Sequence, residues 1–280
     1  MQNLDPISVI KASGGKEPFN EEKVIHSLVA NGLSSDLAAQ TVDYLKRYLK
    51  QNITTEDIFG RVTEFLQKNA PTEHFYNYGL KRAIMAMGPS GYPFEVLISD
   101  LLRLQGFKTE VGVVTQGKCV THEIDVIAQK GTDKYFIECK YHNTPGYKTD
   151  IQVALYNNAR FLDIQDIQNQ HDDTLNYSSW LITNTKITSE AYDYCHCVNQ
   201  KITTWDQPNG NGLQDLIISS GLHPITLLHE LPKEKIQTLL SKDIVTCPRL
   251  KTAILNHELN DLLDQDETSL ILKKMAEICK

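Results

Sequence analysis

The stretch Thr121–Lys140, THEIDVIAQKGTDKYFIECK, contains two short apolar runs separated by a polar turn at Gly131-Thr-Asp133. Short runs rich in β-branched and aromatic residues, bounded by Gly and Asp, predict the two strands of a hairpin. Side chains alternate between the faces of a strand, so Glu138 and Lys140 emerge on the same face. A hairpin at this turn brings Asp125 beside Glu138.

Two carboxylates and an ammonium therefore meet at the end of a buried sheet. Ionised groups in such a place are costly unless they bind a metal or one another. The combination suits hydrolysis of a phosphodiester. An alternative is an ordinary solvated hairpin with Lys140 as a cross-strand partner, a contact worth about 0.2–1 kcal/mol.

The order Asp125, Glu138, Lys140 resembles the PD-(D/E)XK nuclease superfamily, and the flanking sequence resembles its Mrr-type restriction endonucleases. The flanking segments that carry the resemblance are Phe94–Phe107, Gln152–Tyr156, Trp180–Thr185 and Ser189–Ala191. Together they cover roughly residues 90–220. The resemblance implies an α/β fold, in which a restriction-endonuclease-like mixed sheet is flanked by helices, and a DNA substrate.

The resemblance also implies roles for individual residues. A divalent cation, Mg²⁺ or Mn²⁺, would be held by oxygen ligands and would activate the attacking water. Lys140 would orient or help deprotonate that water, Gln152 would position the water or Lys140, and Tyr156 would support Gln152. The expected metal ligands are Asp125, Glu138, the Cys139 backbone carbonyl and Glu95, directly or through water.

Two of these assignments have simpler alternatives. Glu95 lies in the first turn of a predicted helix, where a negative charge complements the macrodipole without any catalytic role. Gln152 and Tyr156 are four residues apart, so they share one helical face and can simply pack there.

Composition sets the limits on the class of protein. A chain of 280 residues with 41% hydrophobic residues is long enough for two or three domains. No run approaches the roughly 18 apolar residues of a membrane span, so we expect a soluble, cytoplasmic protein without a membrane partner. The six cysteines suggest no disulfide framework. The spacing in Cys195-His196-Cys197 is poor for zinc, because adjacent helical positions point apart.

The net charge of −7 argues mildly against a protein that coats nucleic acid electrostatically, but it does not exclude a nuclease. Five cations flank the predicted site and offer a local basic rim: Lys118, Lys130, Lys134, Lys148 and Arg160.

The N-terminal ninety residues predict a small hairpin packed on about four helices. Two short extended runs surround a Ser13-Gly-Gly15 turn, which is a hairpin signal. Asn20 and Thr54 are good N-caps, a second helix is predicted from Ser35 to Gln51, and a fourth begins at Pro71.

This order resembles the ATP-cone, a nucleotide-sensing module. The resemblance implies that ATP or dATP binds as an effector and that lysines neutralise its phosphates near a glycine turn. The implied nucleotide-binding residues are Lys11, Gly14, Glu17, Asn20, Lys23, Thr55 and Lys81. Ala12 stands where the family usually has arginine, which removes an expected phosphate contact.

Beyond residue 221 the sequence predicts only short helices, with starts at Pro232 and Pro248 and a last helix from about Glu267. The segment Ile244–Leu250 loosely resembles modules related to helix-hairpin-helix domains, although basic residues are sparse there. We prefer a packing or oligomerisation role for this segment over DNA contact. The predicted domains are therefore 1–90 (ATP-cone), 91–221 (endonuclease-like) and 222–280 (small and helical).

The leading hypothesis is a metal-dependent DNA endonuclease of the restriction or phage-defence type that forms a homo-oligomer and responds to ATP or dATP. One alternative is a catalytically inactive, nucleotide-responsive DNA-binding or assembly protein. Another is a nuclease that acts on structured RNA.

Overall fold

The computed structural model describes residues 6–278, which form two compact units. The first comprises residues 6–82 together with 144–146, and the second comprises residues 83–143 and 147–278. Each unit has its own buried core. Among the described residues, no helix has both the length and the apolar character needed to cross a membrane.

The first unit combines a three-stranded sheet with helices. Its strands are β1 (Ser8–Ile10), β2 (Lys16–Pro18) and β3 (Ile53–Thr54), in the order β2-β1-β3. The helices that begin in it are α1 (Glu21–Ala30), α2 (Ser35–Lys46), α3 (Thr55–Asn69) and α4 (Thr72–Met85).

Local signals explain where these helices begin. The Asn20 side chain accepts a hydrogen bond from the Lys23 amide, and Thr54 and Asp57 form a reciprocal capping box. The hairpin and the four helices agree with the sequence prediction. The prediction was wrong in two places: β3 was missed, and α2 ends at Lys46 instead of continuing to Gln51.

The second unit is built on a mixed five-stranded sheet in the order β10-β8-β6-β5-β4. β4, β5 and β6 are antiparallel neighbours, whereas β6, β8 and β10 run parallel. A separate parallel pair is formed by β7 and β9. The strand bounds are β4 (Lys108–Gln116), β5 (Thr121–Lys130), β6 (Asp133–Lys140), β7 (Lys148–Thr149), β8 (Asn176–Thr183), β9 (Lys186–Ile187) and β10 (Lys201–Thr203).

Two long helices cover opposite faces of this sheet. Phe161 of α6 (Ile151–His171) packs against Phe136, with ring centroids 6.3 Å apart. Phe94 of α5 (Tyr92–Leu104) packs against Tyr141, which follows β6 on the other side of the pleat. Side chains alternate along β6, so Ile137 lies on one face and Glu138 lies with Phe136 on the face that α6 covers.

Shorter helices complete the second unit. Proline precedes α9 and lies in the first turn of α10, as the sequence predicts. The bounds are α7 (Ser189–Cys197), α8 (Leu213–Ser220), a 3₁₀ turn (Ile225–Leu227), α9 (Lys233–Leu240), α10 (Cys247–Leu255) and α11 (Gln265–Ile278). The segment beyond residue 221 packs within this unit, where Arg249 of α10 pairs with Asp100 of α5. The three-domain division stays a prediction.

Candidate active site

The site forms where two antiparallel strands separate. Backbone pairing between β5 and β6 ends at Val126 and Ile137, whereas pairing between β5 and β4 continues to the end of both strands. The next residues in register are Asp125 and Glu138. The Asp125 carboxylate replaces the lost backbone bond, because its Oδ2 accepts a hydrogen bond of 2.7 Å from the Cys139 amide.

The neighbouring strand bends at the same level. Gly112 of β4 stands opposite Asp125 in the register and has a φ of 64°, a conformation that glycine adopts without steric cost. The sequence patterns that predict the hairpin give no sign of this bend. It allows the edge pair of strands to diverge from β6 at the residue that carries the first carboxylate.

Glu138 is held from the other side by helix α6. The Tyr156 hydroxyl donates to Glu138 Oε1 at 2.5 Å, and Arg160 Nη1 donates to Oε2 at 2.7 Å. Tyr156 and Arg160 are one helical turn apart, so both reach the same carboxylate. Burial and the bond to Glu138 both raise the pKa of Tyr156, which therefore stays a protonated donor.

Glu95 lies in the first turn of α5 and completes an acidic cluster with Asp125 and Glu138. Burial, followed by repulsion from Asp125, Glu123 and Glu138, raises the pKa of Glu95 to about 7. Burial, followed by repulsion from Glu138, raises the pKa of Asp125 to about 6. Carboxyl groups that disfavour one another's ionisation in a cleft are characteristic of catalytic and cation sites.

Lys140 is the last residue of β6 and is two residues beyond Glu138 on the same face of the strand. It is partly buried and makes no ion pair within residues 6–278. The pKa of His142 is lowered first by burial and then by the positive charge of Lys140, so this charge lies close to His142, just beyond the end of β6. The ammonium therefore lies near His142, and within residues 6–278 it forms no ion pair with the acidic cluster.

The structure brings some predicted site residues together and leaves others apart. Asp125, Glu138 and Glu95 interact electrostatically, and Cys139 joins them through its backbone amide. Gln152 is exposed in the first turn of α6, and its side-chain amide forms no hydrogen bond within the described part of the chain. The roles of Gln152 and of the Cys139 carbonyl stay predictions.

The donor set is suited to a hard cation. Within residues 6–278, no three His, Cys, Asp or Glu side chains converge closely enough to form a metal site by themselves. Mg²⁺, however, usually needs only one or two carboxylates and completes its shell with water and substrate phosphates. Asp125 and Glu138 fit that requirement, because both are partly or fully buried carboxylates at the point where β5 and β6 separate.

Two features of the site escaped the sequence prediction. Arg160 was predicted only as part of a basic rim, although it binds Glu138 directly. Its spacing of four residues from Tyr156 was the signal available. The second feature is Asp163, whose carboxylate binds His122 at 2.8 Å and the amides of Cys119 and Val120, and so ties the β4–β5 turn to α6.

The five cations of the predicted rim do not share one surface feature. Lys118 and Arg160 line an open groove beside α6, together with His122 and Leu162. Lys130 instead donates to the carbonyl of Gln105, on the α5 side. Lys134 lies over the Phe136 ring, and Lys148 begins β7.

In the first unit, three of the predicted nucleotide-binding residues form a cluster. Glu17 binds both Lys11, at 2.7 Å, and Lys23, at 3.0 Å, and these two lysines lower its pKa. Gly14 has a φ of 82° in the β1–β2 turn, which a side chain would disfavour.

The other three predicted nucleotide-binding residues lie on, or cap, helices of the first unit. Asn20 caps α1, Thr55 is the first residue of α3, and Lys81 lies on α4. Their part in nucleotide binding stays a prediction.

Comparison with known proteins places the second unit in a wider group. Residues 87–216 match the model of a family described as restriction endonuclease. An uncharacterized protein of Archaeoglobus fulgidus is 42% identical over 150 residues, which is 54% of this chain and 81% of that protein. The crystal structure of a protein of unknown function, AF1548, is 34% identical and has a TM-score of 0.57; the match covers 67% of this chain and 97% of that one.

Proposed function

This chain belongs to one family with the Archaeoglobus fulgidus protein and carries a restriction endonuclease-like domain at residues 87–216, and on that premise we propose that it is a metal-dependent DNA endonuclease. The observation that carries the proposal is the acidic cluster at the point where β5 and β6 separate, with Lys140 two residues beyond Glu138 on the same face of β6. Acids that repel one another, with an amine further along the same strand face, are an arrangement suited to a divalent cation and an anionic substrate.

Each residue of the site has its own role in this proposal. Asp125 and Glu138 would hold Mg²⁺ or Mn²⁺, with Glu95 and the Cys139 carbonyl as further oxygen donors. When bound, the cation supplies a more acidic water and offsets charge on the phosphate. Lys140 orients the water and stabilises negative charge that develops on the phosphoryl oxygens. Tyr156 fixes the orientation of Glu138, and Gln152 is free to contact substrate from the start of α6.

The direct test is the nicking of supercoiled plasmid in Mg²⁺. We expect nicking by the wild type, loss of nicking in Asp125→Asn and Lys140→Gln, and wild-type nicking in Lys108→Gln, an exposed lysine on β4. Nicking that survives in Asp125→Asn would reject this site as the catalytic centre.

Substrate choice is decided by the same assay with structured RNA in place of plasmid. A protein that cuts RNA and leaves DNA intact would support the ribonuclease alternative. A protein that cuts neither but binds DNA in a nucleotide-dependent manner would support the inactive, DNA-binding alternative. The family description, restriction endonuclease, is what favours DNA and a restriction or defence role.

We further propose that the first unit is an ATP-cone that binds ATP or dATP. Its support is the pair of lysines on Glu17 beside the Gly14 turn. A nucleotide at 100 times its Kd should stabilise the protein by about 2.7 kcal/mol in thermal unfolding. Lys11→Ala should lose this effect, whereas Lys16→Ala, on the same turn, should keep it. A flat titration of the wild type would leave the unit without a nucleotide.

We also propose that the protein forms a homo-oligomer. One catalytic centre cuts one strand at a time, so a concerted double-strand break needs two copies of the site. We expect linear product to appear at protein concentrations at which sedimentation detects a dimer or larger assembly, and nicked circles alone below that concentration.

A further inference from the structure

Among residues 6–278, Arg160 makes the closest cationic contact with the acidic cluster. Its Nη1 lies 2.7 Å from Glu138 Oε2, and the side chains of Arg160 and Glu138 are only 26% and 10% exposed. Tyr156 holds the other oxygen of Glu138. Both oxygens of a residue proposed to bind a divalent cation are therefore already engaged by helix α6.

The Arg160 guanidinium and a divalent cation are alternative partners for the Glu138 carboxylate. A guanidinium bound to Glu138 offsets the same negative charge as a divalent cation would and takes up an oxygen lone pair. A cation at Glu138 therefore weakens the hold of the carboxylate on Arg160. The guanidinium stays charged at any working pH, so once released it is available to bind another anion.

Such a partner has a place to lie. Arg160 also lines the open groove beside α6, whose other lining residues include Lys118, which pairs with Asp166, and His122, which pairs with Asp163. Its Cζ lies 5.5 Å from the centre of the Tyr156 ring, so the ring flanks the guanidinium on the Glu138 side. Guanidinium groups bind phosphate oxygens with a matching planar geometry.

We propose that Arg160 and the divalent cation compete for Glu138, and that Arg160, once displaced, binds a phosphate of the DNA backbone in the groove beside α6. The inference rests on the proposed nuclease function. It makes Arg160 a positioning residue that couples cation binding to substrate binding.

The first test measures Mg²⁺ affinity by calorimetry without DNA. Arg160→Gln should bind Mg²⁺ about tenfold more tightly than wild type, the effect of losing one charge-assisted hydrogen bond that competes. Arg160→Lys should fall between the two. The matched control Arg103→Gln, on the surface of α5, should bind like wild type. If Arg160 only supported Glu138 structurally, Arg160→Gln would bind Mg²⁺ more weakly, and that result overturns the proposal.

The second test measures duplex binding by fluorescence anisotropy in Ca²⁺, with gels to verify that the duplex stays intact. Loss of one phosphate contact should reduce the slope of log affinity against log salt by about 1 in Arg160→Gln. An unchanged slope overturns the phosphate contact.

A wild type that binds no Mg²⁺ and nicks no plasmid counts against the nuclease function itself, and this outcome is read from the wild type alone.

A second pair of variants covers the case in which Arg160→Gln does not fold. Glu138→Gln removes the charge that holds Arg160 and so weakens this contact; in EDTA the variant should bind duplex more tightly than wild type and show a steeper salt slope. Asp125→Asn removes the same charge from the same site without touching Arg160. Equal duplex affinity of the two variants would overturn the proposal, because only the general loss of negative charge would then matter.

Discussion

The Asp125 carboxylate accepts a hydrogen bond of 2.7 Å from the Cys139 backbone amide. This is the last hydrogen bond between β5 and β6 before their backbones separate. One side chain therefore ends the pairing between β5 and β6 and also leaves its second carboxylate oxygen available to the site. Structure and chemistry depend on different properties of this residue. The hydrogen bond needs an acceptor, whereas cation binding needs a charge.

Asp125→Asn separates these two properties. The amide oxygen can still accept from Cys139, but the charge is gone. We expect nicking to fall at least about 100-fold, and we expect Tm to stay unchanged or rise, because repulsion from Glu138 is relieved. Plasmid nicking and thermal unfolding in EDTA measure the two effects. A large drop in Tm would mean that the charge itself supports the fold.

The pH dependence of stability should report on Glu95. A carboxyl group whose pKa is raised by folding, here to about 7, adds stability below its unfolded pKa, and this stability is lost as the pH rises through the folded value. Glu95→Gln mimics the protonated form at every pH. Wild type and Glu95→Gln should therefore have similar Tm values in EDTA near pH 4, whereas the wild type should be the less stable at pH 8.

Adding Mg²⁺ at pH 8 should restore stability to the wild type by favouring the ionised carboxylates. The same addition near pH 4 should have little effect, because Glu95 and Asp125 are then protonated. A constant difference in Tm between wild type and Glu95→Gln from pH 4 to 8 would contradict the raised pKa.

Local chemistry explains which parts of the fold can be predicted from the sequence. Helix starts at Asn20 and Thr54 follow from side chains that cap their own helices, so the signal lies within three residues. The shared face of Glu138 and Lys140 follows from strand alternation alone. The strand β3 was missed because it consists of two residues, which become a strand only by pairing with β1.

The parts of the site that were missed are contacts between elements distant in sequence. Arg160 reaches Glu138 across 22 positions, and Asp163 reaches the β4–β5 turn across more than 40. Nothing local in either helical residue distinguishes it from an ordinary surface charge. Helical spacing from Tyr156 would have indicated Arg160, once Tyr156 was assigned to the site.

Arg249 and Asp100 should contribute strongly to the stability of the second unit. Arg249 Nε and Nη2 donate to both carboxylate oxygens of Asp100 at 2.5 and 2.7 Å, and the Asp100 side chain is only 12% exposed. Arg249→Leu leaves that carboxylate without its main partner and should cost about 3 kcal/mol.

A double-mutant cycle in urea tests this pair. Asp100→Leu combined with Arg249→Leu removes both charges and should cost less than the sum of the two single changes. Additive costs would show that the two residues act independently. The nicking activity of each variant should follow its folded fraction, because neither side chain touches the acidic cluster.

Gly117 should tolerate no side chain. A Cβ at this position would lie 2.2 Å from Asp163 Oδ2 and 2.7 Å from the Val120 carbonyl, so the clamp between the β4–β5 turn and α6 would have to open. Gly117→Ala should destabilise the protein by about 1–3 kcal/mol in urea unfolding. The control is Gly60→Ala in α3, where a Cβ meets nothing within 4 Å and should stabilise the protein by about 0.4–1 kcal/mol.

Hydrogen exchange gives a local readout of the same change. The Cys119 and Val120 amides would lose their bonds to Asp163 in Gly117→Ala, so they should exchange faster than in wild type. Unchanged exchange at both amides would show that the turn is held by other contacts.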